Sequence, residues 1–96
     1  MPATTATELM RSRYDAYVRL DAPYLLETWH PSTRPAKLVL DPSIEWLRLV
    51  IHGSTGGGFL DTAGTVEFTA YYRGGEQHEN SRFVKADRRW LYVDGD

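Results

Sequence analysis

The groups in this chain that could do chemistry are three histidines, one glutamate flanked by polar residues, and arginines set beside aromatics. They fall in four clusters: Met10-Arg11-Ser12-Arg13-Tyr14, Thr28-Trp29-His30-Pro31, His78-Glu79-Asn80-Ser81-Arg82-Phe83 and Trp90-Leu91-Tyr92-Val93-Asp94-Gly95. Glu79 or His30 would serve as a general base, with Tyr14 as a hydrogen-bond donor. Arg34, in the Pro-bounded loop, would suit an anion because a guanidinium presents a planar fork of donors, but a surface arginine tying that loop down is the expected role. His30 at a helix end also has a structural use, pairing with the last carbonyls. His30, His52 and His78 match no metal-ligand spacing, so no metal and no cofactor are expected. Ser12, Ser32 and Ser81 lack a nucleophile-elbow context. The glycines at 53, 56, 57 and 58 lack a P-loop lysine and do not lead from a strand into a helix. They read as a long hairpin loop over 53–64, mobile or lid-like, and not as a phosphate cradle.

The whole chain is 96 residues, enough for a single domain, 1–96, with one modest core. It is 42% hydrophobic and 25% charged with a net charge of −2, which gives no field towards nucleic acid or an anionic membrane. The small basic groups Arg11–Arg13 and Arg88–Arg89 read as solvated faces. With no cysteine there are no disulfides and no thiolate metal sites. No apolar run is long enough to span a bilayer. The first residues lack a signal peptide's basic start and apolar stretch. A cytoplasmic location is expected.

The elements that must position these groups are readable in part. Thr5-Ala6-Thr7-Glu8 predicts a capping box, with Glu8 reaching back to Thr5. A helix follows to about Leu20, with Ala6, Met10, Tyr14, Tyr17 and Val18 on one stripe and Leu9 and Arg13 on its border. Asp21 caps a second helix to about Trp29, with Pro23 in its first turn. Residues 37–40 predict a short strand, and Asp41-Pro42 one helical turn. From Trp46 the period becomes two, with Leu47, Leu49 and Ile51 alternating with Trp46, Arg48, Val50 and His52. Strands over 65–73, 76–85 and 89–93 complete an antiparallel meander, so the class is α+β.

Gly74-Gly75 predicts a two-residue hairpin loop. Arg73 then faces Glu76, Tyr71 faces His78, Thr69 faces Asn80 and Glu67 faces Arg82, all on one polar face. The other face pairs Val66 with Phe83, Phe68 with Ser81 and Ala70 with Glu79, under the helices. A carboxylate on a covered face needs a partner, and Arg13 is the expected one. A three-residue final turn puts Trp90 on the polar face, whereas a two- or four-residue turn puts it inside with Phe83.

Residues 9–14, Tyr17, residues 28–35, Gly64-Thr65-Val66-Glu67-Phe68, residues 78–83 and residues 90–95 closely resemble the bacterial YchJ-like family, in particular its middle domain. The resemblance implies a nuclear-transport-factor-2-like fold: helices across the concave face of a twisted antiparallel sheet, a cystatin-like cone. It implies no reaction. Members commonly carry a cysteine-rich, presumed zinc-binding SEC-C segment. This chain is therefore expected to be an excised domain or a member without that segment, and the segment's zinc and partners are not carried over.

The expected function is a non-enzymatic binding or interaction module. Homodimerisation would use the outer sheet face, with Trp46, Tyr71, His78 and Arg82 as interface candidates. The rival is a small-molecule enzyme in the cone, with Arg13, Tyr14, Trp29, His30, Glu79 and Ser81 as the candidate cavity. A third reading is a scaffold for flanking segments. No catalytic residue is nominated, and no nucleic acid or membrane partner is expected.

Overall fold

Thr5 opens the first helix as a side-chain cap: its hydroxyl accepts from the Glu8 amide at 3.1 Å. The Glu8 carboxylate, however, reaches past Thr5 to Thr4, taking its hydroxyl at 2.7 Å and its amide at 3.3 Å. The Ala6 amide is capped from elsewhere, by the Gly57 carbonyl at 2.9 Å. In the computed structural model, which describes residues 2–96, this helix α1 spans Ala6–Val18. It buries Ala6, Leu9, Met10, Arg13 and Ala16. The buried stripe is thus rotated from the expected one towards Leu9 and Arg13, and Val18 is 47% exposed. The cause is the second helix, which covers that side of α1.

Helix α2 (Ala22–Glu27) starts where Asp21 accepts from the Tyr24 amide at 3.1 Å. It stops two residues short of the expected end because the chain turns to meet the sheet. The His30 amide donates to the Tyr92 carbonyl at 2.7 Å, and the Tyr92 amide to the Thr28 carbonyl at 2.9 Å. Trp29 forms a parallel bridge to Tyr92. Residues 37–40 form no strand, and Asp41 makes a turn instead of a helical turn, its carboxylate accepting from Ser43 N at 2.9 Å and Ser43 Oγ at 2.7 Å.

Strands β1 (Trp46–Gly56), β2 (Ala63–Tyr72), β3 (Gly75–Ala86) and β4 (Arg89–Gly95) form an antiparallel sheet in the order β1-β2-β3-β4. The expected loop over 53–64 is largely strand, and only residues 57–62 connect β1 to β2. Gly64 lets this happen, because a side chain there would collide with the Gly57 backbone. The β2–β3 turn sits one residue earlier than expected. Tyr72 pairs with Gly75, so Thr69 opposes His78, Glu67 opposes Asn80 and Phe68 opposes Glu79. Every predicted partner moves by two residues. Because side chains alternate with period two, an even slip leaves each residue on its predicted face.

Bulges do change faces. Leu47 is the extra residue between the Trp46–Tyr72 and Arg48–Tyr71 pairs. Trp46 therefore lies on the helix side, against Tyr14 at 6.0 Å, Tyr17 at 6.2 Å and Tyr72 at 5.6 Å between ring centroids. That corrects its expected place on the outer face. The last turn holds two residues, Asp87 and Arg88, both at positive φ, the pattern of a tight primed hairpin turn. Trp90 consequently points inward and is 2% exposed, in a core with Leu9, Met10, Val66, Phe68 and Phe83.

Gly64→Ala is expected to lower stability by about 2 kcal/mol through backbone collision. Gly53→Ala, where nothing lies within 4 Å, should stay within about 0.5 kcal/mol of wild type. Paired urea titrations check this, and equal midpoints for the two variants would contradict the close approach of the strands.

Candidate functional site

Arg13 sits at the junction of both helices and β4 and is 3% exposed. A cation this deep is costly unless satisfied. The expected carboxylate partner does not supply that satisfaction. Nη1 instead donates to the Leu25 carbonyl at 2.8 Å and to Thr28 Oγ1 at 2.7 Å. These acceptors stand at the C-terminal end of α2, where carbonyls lack intrahelical partners and the helix dipole favours positive charge. The guanidinium carbon also lies 4.6 Å from the Tyr92 ring centre and 5.1 Å from that of Trp29. Burial lowers the Arg13 pKa, and the nearby Tyr17, Tyr92, Tyr24 and Glu79 act against that lowering.

Glu79 stands on the other side of Tyr92. Its Oε1 accepts from Ser81 Oγ at 2.5 Å and from the Tyr92 hydroxyl at 3.2 Å. Gly95 lies under this carboxylate; a side chain at that position would occupy its place. Burial first, and the Glu79 charge second, push the Tyr92 phenol well above its ordinary value. Burial also raises Tyr17, against a lowering influence from Arg13. Both phenols therefore act as donors near neutral pH.

Arg13, Glu79, Ser81, Tyr92 and Tyr17 all line one cavity of about 600 Å³. Met10, Phe68, Ala70, Tyr14, Trp46 and Tyr72 form apolar and aromatic walls. The irregular segment before β1 closes one side with Leu38, Val39, Leu40 and Ile44. Val39 is 78% exposed, so this wall also faces solvent. The segment is tied down at both ends. Arg34 donates to the Trp29 carbonyl through Nε at 2.9 Å and Nη2 at 2.7 Å, and Arg73 pairs with Glu45 and donates its amide to the Glu45 carbonyl at 2.9 Å.

Of the six expected cavity residues, Arg13, Tyr14, Glu79 and Ser81 line this space, and Trp29 and His30 do not. Trp29 stacks behind Arg13. His30 Nδ1 meets Ser32 Oγ at 2.7 Å and takes the Ser32 amide at 3.1 Å, organising the turn after α2. Tyr17, Tyr92 and Gly95 were not singled out as site residues. Tyr92 does alternate in phase with Trp90, so an inward Trp90 would have indicated it.

The expected interface residues Tyr71, His78 and Arg82 lie on the helix-free face. There the Arg48 guanidinium carbon is 4.2 Å from the Tyr71 ring centre. His78 Nε2 contacts Glu67 at 2.7 Å, and Arg82 pairs with Asp94 at 2.6 Å and Asp96 at 2.9 Å. The predicted Glu67–Arg82 pair is replaced by these because of the two-residue slip. Among the described residues no His, Asp and Glu cluster could hold a metal, and no helix is long and apolar enough to cross a membrane.

Residues 5–95 match the family model described as the YchJ middle NTF2-like domain. The chain is similar to a UPF0225 protein, SCO1677, of Streptomyces coelicolor, with 55% identity over 98% of this chain and 76% of that protein. A UPF0225 protein of Chromobacterium violaceum is 46% identical over 98% of this chain and 75% of its own length. The solution structure of RPA3114, a SEC-C motif containing protein from Rhodopseudomonas palustris, superposes with a TM-score of 0.83 at 37% identity. That likeness covers all of this chain and 80% of the other.

Arg13→Lys is expected to cost about 2–4 kcal/mol, because a compact ammonium cannot keep both the ring stacking and the two bonds made at Nη1. Glu79→Gln should stay within about 1 kcal/mol of wild type. Chemical denaturation of both variants measures this, and a loss of several kcal/mol in Glu79→Gln would restore the direct Arg13–Glu79 pair.

Proposed function

This chain belongs to the YchJ-like family, matching its middle domain, and on that premise we propose that it is a binding module that holds a small molecule in the cone between helices and sheet. The observation that carries this reading is the cavity of about 600 Å³. Its volume suits a small organic ligand, and apolar walls with a few convergent polar groups are the usual make-up of such sites. A scaffold with no ligand would gain stability by filling that space. The polar floor favours recognition over turnover. Glu79 is fixed as an acceptor by Ser81 and Tyr92, and Arg13 is fixed by α2 and two rings. The cysteine-free composition supports a cytoplasmic setting for this role.

A second proposal concerns the helix-free face. Arg48 stacked on Tyr71, with His78 and Arg82 further along the same face, has the aromatic and arginine content favoured in interfaces. We propose this surface as the contact of a homodimer.

A fragment screen followed by amide chemical shifts tests the first proposal. Bound compounds are expected to move the amides of Met10, Tyr17, Phe68 and Glu79, and Ala70→Leu, which adds bulk at the wall, should weaken them about tenfold. A screen with no binders, or shifts confined to Tyr71 and His78, would refute it. Sedimentation tests the second proposal: a dimer that Tyr71→Glu dissociates is expected, and a monomer at all concentrations would remove it.

A further inference from the structure

The floor of the cavity contains two opposite charges that do not neutralise each other directly. Arg13 uses Nη1 for Leu25 and Thr28, and Glu79 uses Oε1 for Ser81 and Tyr92. A guanidinium has five N–H donors and a carboxylate about four acceptor sites. Both side chains line the cavity, and no nitrogen of Arg13 is a buried donor without a partner. The rest of the Arg13 fork therefore borders the cavity beside the Tyr17 hydroxyl, in a side chain only 3% exposed, and the half-buried Glu79 leaves Oε2 for a cavity ligand.

Tyr92 sets the spacing between the two charges. Its ring lies under the guanidinium at 4.6 Å, and its hydroxyl touches Glu79 at 3.2 Å. The two charged groups are thus about one phenol ring apart. A carboxylate and an ammonium on one carbon, each at hydrogen-bond distance of about 2.8 Å from its partner, bridge a gap of that order. The remaining lining charges narrow the choice. Asp41 and Glu76 also line the cavity, and Arg13 is its only cation among the described residues. Three carboxylates against one guanidinium repel phosphates and other multiple anions. They tolerate a single anion only when a positive group accompanies it.

We infer that the ligand is an amino acid with an apolar side chain, its carboxylate on Arg13, its ammonium on Glu79 and its body against Trp46, Phe68 and Leu38. The inference rests on reading the cavity as a ligand site and adds the chemical class to it. The zwitterion places one opposite charge against the remaining hydrogen-bonding sites of each group, so those sites keep a partner when water is expelled. The aromatic walls contributed by Tyr14, Trp46 and Tyr72 then select an apolar side chain over a polar one.

The test titrates wild-type protein with phenylalanine, phenylalanine methyl ester and N-acetylphenylalanine, following amide shifts at Glu79 and Ser81. The ester removes the carboxylate charge and the acetyl group removes the ammonium, so the protein itself is unchanged. Phenylalanine is expected to bind at least tenfold more tightly than either derivative. Glu79→Gln should weaken phenylalanine about tenfold and leave N-acetylphenylalanine unchanged. Derivatives binding as well as the free amino acid would overturn the inference while leaving the cavity a ligand site. Silence from all three would overturn it too, and the fragment screen decides the cavity reading independently.

Discussion

The burial of Arg13 is the constraint on which the arrangement depends. One side chain from α1 ends on the Leu25 carbonyl and the Thr28 hydroxyl at the C-terminal end of α2 and lies against Trp29 and Tyr92, which bridge to β4. It thereby fixes three elements to one another. The desolvation cost is offset by hydrogen bonds at a helix end and by two ring faces. A nearby carboxylate would be the commoner solution. Using backbone and aromatic partners leaves Glu79 free to be positioned separately, by Ser81, Tyr92 and the space above Gly95. The cavity floor is a consequence of that division.

The open volume also follows from the backbone. A tightly paired meander with bulges at Leu47, His52 and Val93 curves away from a helical layer only two elements long. The helices cover the β2–β4 end, where Leu9, Val66, Phe83 and Trp90 pack to near-complete burial. At the other end α1 reaches β1 through Tyr14 and Tyr17 against Trp46, the irregular segment before β1 supplies the remaining cover, and there the walls part.

Several of these features were legible in the residues. The caps at Thr5 and Asp21, the meander and the faces of His78, Glu79, Asn80, Ser81, Arg82 and Phe83 follow from capping chemistry and period-two patterning. The faces survived an error in the turn because the slip was even. The place of Trp46 was not legible, since a bulge at Leu47 leaves no composition signal in an alternating apolar run. The extension of β1 and β2 through the glycines depended on Gly64 meeting Gly57, a contact between residues that sequence reading assigned to one loop. The partner of Arg13 was missed for a related reason. Charge pairing is visible in a sequence, whereas acceptance by the Leu25 carbonyl and the Thr28 hydroxyl requires knowing where α2 ends.

The most direct measurement is arginine side-chain NMR of Arg13 in the free protein. Two Nη1 hydrogens protected from exchange are expected, with the remaining guanidinium hydrogens exchanging quickly with water in the cavity. Protection of the whole fork, with a response to protonation of Glu79, would mean a closed ion pair and would contradict this account of the site.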